Sequence, residues 1–241
     1  ENCEGLVAPL APAPRVASAL GPLARPVKLF LDVAGDRLYV ADAGNNRIQK
    51  FDLDGNFLMK WGSAGAGDGQ MNWPADVAID NAGNVYVADY NNHRIQKFDS
   101  TGAFLAKWGS NGSGDQQFDY PYGVAVDAFG NVYVADYYNS RVQKLSSEGV
   151  FLTRWGTYGS GVGQFSYPCS VEVDAAGNVY VADSSNNRVQ KFTGAGDFLA
   201  AFGSAGTGEG EFNYPCGITV DSAGNLYVAD SSNSTIQKFV H

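Results

Sequence analysis

The chain has few of the residues from which metal centres and membrane spans are built. Its 241 residues include two histidines, His93 and His241, and three cysteines. A zinc site of three or four His or Cys ligands is difficult to assemble from so few. No apolar run approaches the ~20 residues that a bilayer-spanning helix needs, and helical periodicity is absent over any useful length. These absences argue against membrane insertion and a catalytic metal.

Positive charge is also scarce. The chain carries 16 Lys and Arg against 25 Asp and Glu, a net charge of −9, which repels phosphate backbones and argues against nucleic acid as a partner. Glycine-rich loops such as residues 109–115 lack the Lys-Ser/Thr ending of a phosphate-binding loop. No nucleophile elbow accompanies His93. The sequence therefore predicts no catalytic residues.

Repetition is what the chain has in abundance. A proline begins each unit, and the spacings between successive prolines are 48, 47, 47 and 47 residues. A fixed period of this length indicates one supersecondary unit that is stacked or arranged in a ring. The prolines are Pro26, Pro74, Pro121, Pro168 and Pro215.

Each unit contains four short runs with strand character. Residues 124–126 and 132–134 are β-branched and aromatic, and the intervening Asp127 suits a tight turn. Asn139 lies in a second turn, where its tolerance of positive φ is expected to be used. Two alternating strands, at 141–145 and 151–155, complete an antiparallel meander. Four-stranded units at this period predict an all-β fold, a β-propeller.

The last unit shows only three of its four strands. Residues 1–25 lie outside the repeat as an Ala- and Pro-rich arm, and within them residues 16–21 can be aligned with the fourth strand and following glycine at 104–109. We expect this segment to complete the fifth blade of a propeller over 26–241, since closure removes exposed edges. Alternatively it completes a neighbouring molecule's blade and links subunits head to tail.

The second unit resembles the repeat of NHL β-propellers. It reads Pro-Ala-Asp-Val-Ala-Ile-Asp-Asn-Ala-Gly-Asn-Val-Tyr-Val-Ala-Asp-Tyr-Asn-Asn-His-Arg-Ile-Gln-Lys-Phe-Asp from Pro74, and Asn92 and His93 stand where the family's naming Asn-His falls. The resemblance implies a propeller, usually of six blades, so a count of five departs from the family. It implies fold more than function. Family members include a zinc-dependent lyase with several histidines, ligand-sensing ectodomains and RNA-binding domains with a basic face.

Positions where the copies disagree are the better places to look for function. Glu172 lies between two valines of an inner strand, where the other copies have Phe30, Ala78, Ala125 and Thr219. A buried unpaired carboxylate costs several kcal/mol, so we expect Glu172 to reach the channel or to have a cationic partner, and it is a candidate ligand or ion site.

Tyrosines outside the repeated slots predict a binding face. Loops before the first strand and turns after the second should emerge on one side of the propeller, bringing together Tyr90, Tyr122, Tyr137, Tyr138 and Tyr158. Exposed tyrosines suit carbohydrate or protein ligands, since their rings offer stacking area at low entropy cost. A repeated slot before proline is expected to serve packing instead, and it holds Trp73, Tyr120, Tyr167 and Tyr214.

Cysteines, sequons and carboxylates give further candidates. Cys169 and Cys216 share one slot in neighbouring units, so a disulfide can join them or involve Cys3, and either pairing leaves one thiol.

Asn111 and Asn233 begin glycosylation sequons that matter only in a secreted protein. Two ladders of aspartates favour turn capping, with structural Ca²⁺ as the alternative. They are Asp32, Asp80, Asp127, Asp174, Asp221 and Asp42, Asp89, Asp136, Asp183, Asp230.

The sequence favours a non-enzymatic, secreted or surface-exposed propeller that binds protein or carbohydrate or copies of itself. Scarce histidine, acidic charge and the non-repeated tyrosines lead to this interpretation. One alternative is a subunit of an extracellular filament linked by exchange of residues 16–21. Another is a metal-dependent lyase or hydrolase that uses the channel, Glu172 and the aspartate ladders.

Overall fold

A computed structural model describes residues 23–32 and 35–240 of the chain. These residues form five antiparallel sheets, four of them with four strands and the fifth with three. The all-β propeller prediction is therefore confirmed, with five blades. None of the short helical turns in the described part of the chain is long and apolar enough to cross a membrane.

Each blade follows chain order from its first strand outward. The strands of the four-stranded blades are β1 (Pro26–Asp32), β2 (Arg37–Asp42), β3 (Arg47–Asp52), β4 (Phe57–Trp61); β5 (Pro74–Ile79), β6 (Val85–Asp89), β7 (Arg94–Phe98), β8 (Phe104–Trp108); β9 (Pro121–Val126), β10 (Val132–Asp136), β11 (Arg141–Leu145), β12 (Phe151–Trp155); and β13 (Pro168–Val173), β14 (Val179–Asp183), β15 (Arg188–Phe192), β16 (Phe198–Phe202). A short parallel pair, β17 (Ser204–Ala205) and β18 (Glu211–Phe212), precedes the fifth blade, which comprises β19 (Pro215–Val220), β20 (Leu226–Asp230) and β21 (Thr235–Phe239).

The hairpin between the first two strands of a blade is held by an aspartate. Asp127 Oδ1 accepts hydrogen bonds from the backbone N–H groups of Phe129 and Asn131 at 2.9 Å, and Gly130 has φ of 83°. Glycine takes this conformation without a Cβ clash. The same arrangement recurs at Asp80, Asp174 and Asp221, so this ladder caps turns.

The second turn differs from the sequence expectation by one residue. Positive φ falls on Ser140 rather than on Asn139, whose side chain instead donates to the Asp136 carboxylate at 2.9 Å and to the carbonyl of Gly112 at 2.8 Å. The asparagine serves through its amide N–H groups, because they donate hydrogen bonds to a buried carboxylate that needs partners. Positive φ recurs one position after each equivalent asparagine, at Asn46, His93, Asn187 and Ser234.

Neighbouring blades are held together by apolar side chains between their faces. In the first interface, Val77 of β5 and Phe98 of β7 pack with Tyr39 and Ile48 of blade 1. Trp61, at the end of β4, lies with its ring centroid 6.1 Å from that of Phe98. The pattern repeats between the other neighbouring blades, so most of the core lies between sheets.

The outer faces of blades 1 and 5 are uncovered in the described part of the chain. Ile236 of β21 is 75% exposed, whereas the equivalent residues Ile48, Ile95, Val142 and Val189 are fully buried at 0%. Leu29 of β1 is 59% exposed, whereas its equivalent Val77 is 1% exposed. We call these two faces the seam. Residues 16–21, proposed to complete the fifth blade, lie outside the described residues.

Candidate functional site at the channel mouth

A partly buried lysine lies at the centre of the propeller. The Lys28 ammonium of β1 donates to Ser170 Oγ at 3.3 Å and to Glu172 Oε1 at 3.4 Å on β13, and to the Ile218 carbonyl at 3.4 Å on β19. Asp76 Oδ2 on β5 lies 3.9 Å away. Because blades 1 and 4 are not neighbours in chain order, the contact between Lys28 and Glu172 spans the middle of the ring.

Asp76 extends the network to blade 3. Its Oδ2 accepts a hydrogen bond from the backbone N–H of Val124 at 3.1 Å, and its Oδ1 accepts one from Val77 at 2.7 Å. Through Lys28 and Asp76, polar contacts link all five blades at the axis. A buried carboxylate is tolerated when it is paired and hydrogen-bonded in this way.

The structure places Glu172 beside a cation, the Lys28 ammonium. Its side chain is 20% exposed, compared with 18% for Lys28 and 4% for Asp76. Burial raises the pKa of Glu172 to about 7, although the nearby ammonium opposes the shift. Burial alone would lower the pKa of Lys28, but Asp76 and Glu172 together raise it above its usual value. Glu172 therefore titrates near neutral pH, and burial raises the pKa of Asp76 above its ordinary value as well.

Sequence reasoning missed Lys28 and Asp76, although a signal was present. Both occupy the slot two residues after the proline that begins each blade, and the remaining copies carry Gly123, Ser170 and Gly217 there. This slot is as variable as that of Glu172. A comparison of the copies two residues earlier along the inner strand would have found the rest of the cluster.

Three members of the cluster, Lys28, Asp76 and Ser170, line an open cavity of about 380 Å³. Residues of all five blades contribute to its wall. The other polar, sulfur-bearing or aromatic side chains that line it are Arg25, Ser231, Cys169, Cys216 and Tyr122. The cavity thus combines charged groups, hydroxyls, two sulfur atoms and one aromatic ring.

Tyr122 joins this cavity to a continuous surface of tyrosines. Its ring centroid lies 5.5 Å from Tyr90 and 5.7 Å from Tyr137, and Tyr137 lies 4.9 Å from Tyr138. Four of the five tyrosines predicted to form a binding face are thereby in contact. Tyr158 is 72% exposed and makes no ring contact with them in the part of the chain that the structure describes.

Three tyrosines from the repeated slot before proline belong to the same surface. Tyr120 packs 4.7 Å from Tyr90, Tyr167 packs 5.2 Å from Tyr137, and the hydroxyl oxygens of Tyr214 and Tyr137 are 2.7 Å apart. The sequence assigned these residues to packing. These residues both pack between neighbours and present part of their rings to solvent, since all three are partly exposed. We call this set of seven rings the tyrosine face: Tyr90, Tyr120, Tyr122, Tyr137, Tyr138, Tyr167 and Tyr214.

Burial keeps the hydroxyls of this face in their neutral form. It raises the pKa values of Tyr90, Tyr122, Tyr137 and Tyr214 above that of a free tyrosine, and neighbouring tyrosines and cysteines add to most of these shifts. A neutral phenol both donates and accepts hydrogen bonds. The face therefore offers aromatic area and hydroxyl groups together.

His93 acts as a structural acceptor at the edge of the tyrosine face. Its Nδ1 accepts a hydrogen bond from the backbone N–H of Tyr120 at 3.1 Å, and the two rings are 4.3 Å apart. Asn46 and Asn187 accept the equivalent bonds, from Trp73 and Tyr214, through their side-chain oxygens at 2.8 Å. The imidazole thus substitutes for an asparagine amide.

The second aspartate ladder holds each blade together. Asp89 Oδ2 accepts from Arg94 Nε at 2.8 Å and from Gln96 Nε2 at 3.0 Å, and its Oδ1 accepts from the backbone of Asn72 at 2.7 Å. Equivalent bonds reach Asp42, Asp136 and Asp183. Across the described residues, no group of three or more His, Cys, Asp or Glu side chains is arranged to hold a metal ion.

The sequons and cysteines lie in different settings. Asn111 is exposed, and its amide nitrogen lies 3.0 Å from His93 Nδ1. The Asn233 amide is partly buried and donates to Asp230 Oδ2 at 2.7 Å and to the Gly206 carbonyl at 2.8 Å. A glycan replaces one of the two amide hydrogens, so on Asn233 it would break at least one of those bonds. Cys169 and Cys216 are both free thiols and line the same cavity. Cys3 lies outside the described residues.

Comparison with solved structures finds chains of similar fold. The chain is similar to a streptogramin B lyase structure, with 15% identity, a TM-score of 0.66 and coverage of 91% of this chain and 70% of that one. A virginiamycin B lyase from Staphylococcus aureus with quinupristin has 16% identity, a TM-score of 0.63 and coverage of 90% and 70%. A Bacteroides thetaiotaomicron protein of unknown function has 19% identity, a TM-score of 0.70 and coverage of 91% and 60%. At these identities the likeness shows the fold alone.

A search of the curated proteins finds no match to the chain. The family model for the NHL repeat matches five segments, one in each blade and together more than half of the sequence: residues 23–51, 71–98, 118–145, 165–192 and 212–239. Each segment begins three residues before the proline that opens a blade and ends within or at the close of its third strand. The chain therefore belongs to the NHL-repeat family.

Proposed function

We propose that this propeller is a non-enzymatic binding module whose ligand, a carbohydrate, docks on the tyrosine face at the channel mouth. The observation that carries the proposal is the contact of seven tyrosines from blades 2 to 5 in one surface. Packing between blades does not require hydroxyl-bearing rings at an exposed rim. Tyr138, which is 50% exposed, contributes the most accessible of these rings.

The chemistry of the surface favours a sugar. Tyrosine rings stack on the apolar faces of pyranose rings, and their hydroxyls bond to sugar hydroxyls. The adjoining cavity of about 380 Å³ is within the range of small-ligand sites. Asp76 and Ser170 line it and can orient a polar ligand group that enters.

The axial carboxylates also have a structural role. Asp76 and Glu172 share the Lys28 ammonium, and Asp76 also accepts two backbone hydrogen bonds. These contacts link the blades that present the tyrosine face.

Binding of oligosaccharides to the full chain tests the proposal. Soluble cellohexaose, laminarihexaose and chitohexaose serve as probes in isothermal titration calorimetry. Tyr138→Ala should weaken binding of the preferred sugar about fivefold, since one aromatic contact contributes about 1 kcal/mol. Phe129→Ala is the matched control, because Phe129 is 88% exposed in a turn at the opposite end of the same blade. No saturable binding of any of these sugars, or equal loss in both variants, would contradict the proposal.

Self-assembly is a second candidate, favoured by the seam. In the described residues the outer edge of β21 pairs with no strand, and Ile236 and Leu29 are exposed. Unpaired edges and apolar faces recruit strands from other chains. If residues 16–21 are exchanged between molecules, the full chain should form polymers in electron micrographs and a chain lacking residues 1–21 should not. A monomer in both cases would exclude it.

A secreted or cell-surface location accompanies the binding role. The exposed sequon at Asn111 supports it. Expression with a secretion signal in a glycosylating host, followed by mass analysis of the peptide that contains Asn111, tests whether that site is used. A peptide without glycan would count against this part of the proposal.

A further inference from the structure

Two thiols face one another across the boundary between blades 4 and 5. Cys169 in β13 and Cys216 in β19 occupy the same position, one residue after the proline of each strand. Both side chains line the channel-mouth cavity, so a small solute can reach them. Cys169 is 2% exposed, and Cys216 is partly exposed.

Several contacts show how closely the two strands approach. Ser184 Oγ, after β14 of blade 4, donates to the carbonyl of Pro215, the residue before Cys216, at 2.6 Å. Cys169 Sγ lies 4.0 Å from the hydroxyl of Tyr214, the residue before that proline. At the neighbouring boundary, a Cβ built on Gly123 would lie 2.9 Å from the Cys169 carbonyl oxygen. The inner strands of blades 3 and 4 thus meet almost backbone to backbone at this level.

We propose that Cys169 and Cys216 are a modification site, a dithiol that hydrogen peroxide oxidises reversibly to a disulfide joining blades 4 and 5. The disulfide would regulate the tyrosine face, and that second part rests on the function proposed above. A disulfide usually joins Cα atoms about 4.4–6.8 Å apart, and the contacts of Ser184 and Tyr214 hold these two blades together at the level of the thiols. A 47-residue period separates the two positions, so the bond closes one complete repeat.

The reaction is balanced by peroxide alone. The Cys169 thiolate attacks one peroxide oxygen, the O–O bond breaks, and hydroxide leaves with the proton that the thiol released, as water. Cys216 sulfur then attacks the sulfenic sulfur, the S–O bond breaks, and the departing hydroxide takes the Cys216 proton as a second water. Two thiols are oxidised and one peroxide is reduced. A dithiol such as dithiothreitol reverses the product by exchange.

The environment distinguishes the two sulfurs. A hydrogen bond from Cys216 lowers the pKa of Cys169 in spite of its burial. The pKa of Cys216 is raised, because that same bond and burial both hold its proton. Cys169 is therefore the nucleophile toward peroxide and Cys216 the resolving thiol, since the thiolate is the reactive form.

Tyr214 couples the pair to the tyrosine face. Its hydroxyl lies near Cys169 Sγ and at the same time 2.7 Å from the hydroxyl of Tyr137. Bond formation brings the Cys169 sulfur toward Cys216, and the Tyr214 hydroxyl then loses its thiol neighbour. The Tyr137 and Tyr214 rings, at the rim of the cavity, should change their hydrogen bonding as a result.

Thiol counting on the full chain tests the modification. With Cys3→Ser as background, the reduced protein has two thiols that react with Ellman's reagent after denaturation. Treatment with a small excess of peroxide should remove both, lower the monomer mass by two hydrogen atoms, and give one linked peptide pair containing residues 169 and 216. Dithiothreitol should restore both thiols. In the same background, Cys216→Ser should stop at a sulfenic acid that dimedone traps on Cys169.

Two results would overturn the modification. One is retention of both thiols while a surface methionine or an added glutathione standard is oxidised. The other is disulfide-linked dimers in place of the linked monomer. The regulatory part has its own measurement: the tyrosine near-ultraviolet circular dichroism should differ between reduced and oxidised protein, and identical spectra would refute it. Neither readout requires sugar binding, so they fail independently of the proposed function.

Discussion

The Lys28 ammonium lies 3.4 Å from Glu172 Oε1, and this contact joins the first blade of the propeller to the fourth. The same ammonium lies between Glu172 and Asp76 of the second blade. Three charged side chains from three blades therefore meet at the axis. Removing the Lys28 ammonium would leave the carboxylates of Asp76 and Glu172 without their shared cation. The resulting loss of stability exceeds what the ion pair itself contributes, because a carboxylate shielded from solvent then has no partner.

Replacement of Lys28 by Met should destabilise the protein by about 3 kcal/mol, the cost of leaving a buried ion pair broken. Urea unfolding followed by tryptophan fluorescence measures the change. Lys107→Met is the matched control, because Lys107 pairs with Asp68 at 2.6 Å but both side chains are about half exposed. Exposed pairs contribute about 0–1 kcal/mol. Equal destabilisation by both substitutions would contradict the importance of the axial cluster.

Stability should fall as pH rises through the titration of Glu172. Its folded-state pKa is raised to about 7 from an ordinary value of 4.5, so the folded protein binds its proton more tightly than the unfolded chain does. That extra stability is fully present below pH 4.5, declines between pH 4.5 and pH 7, and is lost above it.

The comparison with Glu172→Gln isolates this effect. The difference in unfolding free energy between wild type and variant should change across that pH window by about 2–3 kcal/mol, from the linkage of pKa to stability. Urea unfolding at pH 4.5, 6 and 8 measures it. A constant difference across the window would show that Glu172 titrates normally.

Lysine at Ile236 should be tolerated, whereas lysine at Ile95 should not. The two residues occupy one slot in different blades, but Ile236 is 75% exposed and Ile95 is 0% exposed. Ile95→Lys buries an unpaired charge between blades and should cost more than about 4 kcal/mol. Ile236→Lys should change stability by about 0.5 kcal/mol or less.

Thermal unfolding of both variants measures this contrast. Severe destabilisation by Ile236→Lys would show that the face of β21 is covered in solution, either by the chain's own leading residues or by another molecule. Light scattering on the same samples distinguishes these two coverings, because only the second changes the molar mass.

His93→Asn should preserve stability, because Asn46 and Asn187 accept the equivalent backbone hydrogen bond in blades 1 and 4. His93→Leu removes the acceptor for the N–H of Tyr120 and should cost about 1 kcal/mol. Thermal unfolding at pH 8 compares the two variants. If asparagine is as damaging as leucine, the imidazole has a role beyond accepting this bond.

Much of the fold could be read from the chain because each blade is a local structure. Asp127 and Gly130 specify a turn between two β-branched runs, and the structure has the hairpin there. The role of Asn139 was harder to predict. Its amide donates hydrogen bonds to the buried Asp136 carboxylate, and positive φ falls on the next residue, Ser140. Neighbouring residues decide such details, and the repeat pattern does not show them.

The candidate site was only partly predictable for the same reason. Tyr90, Tyr122, Tyr137 and Tyr138 were grouped by the expectation that their loops share one side of the propeller, and the structure brings them into contact. Tyr158 was placed on that side by the same reasoning, but its ring does not contact these four in the part of the chain that the structure describes. Direction along a strand assigns a residue to a side, whereas the distance between rings on that side depends on how the blades are arranged.

The repeating unit follows from the amino-acid sequence alone: its period, its four-strand meander, its turn aspartates and the positions at which the copies differ. All of these depend on contacts within about fifty residues, and the chain repeats them five times. The contact of Lys28 with Glu172, 144 positions away, and the approach of Cys169 to Cys216 follow from the packing of the blades. The position of a residue within the repeat predicts where it lies along the propeller axis. The arrangement of the blades around that axis decides which residues at one level face each other.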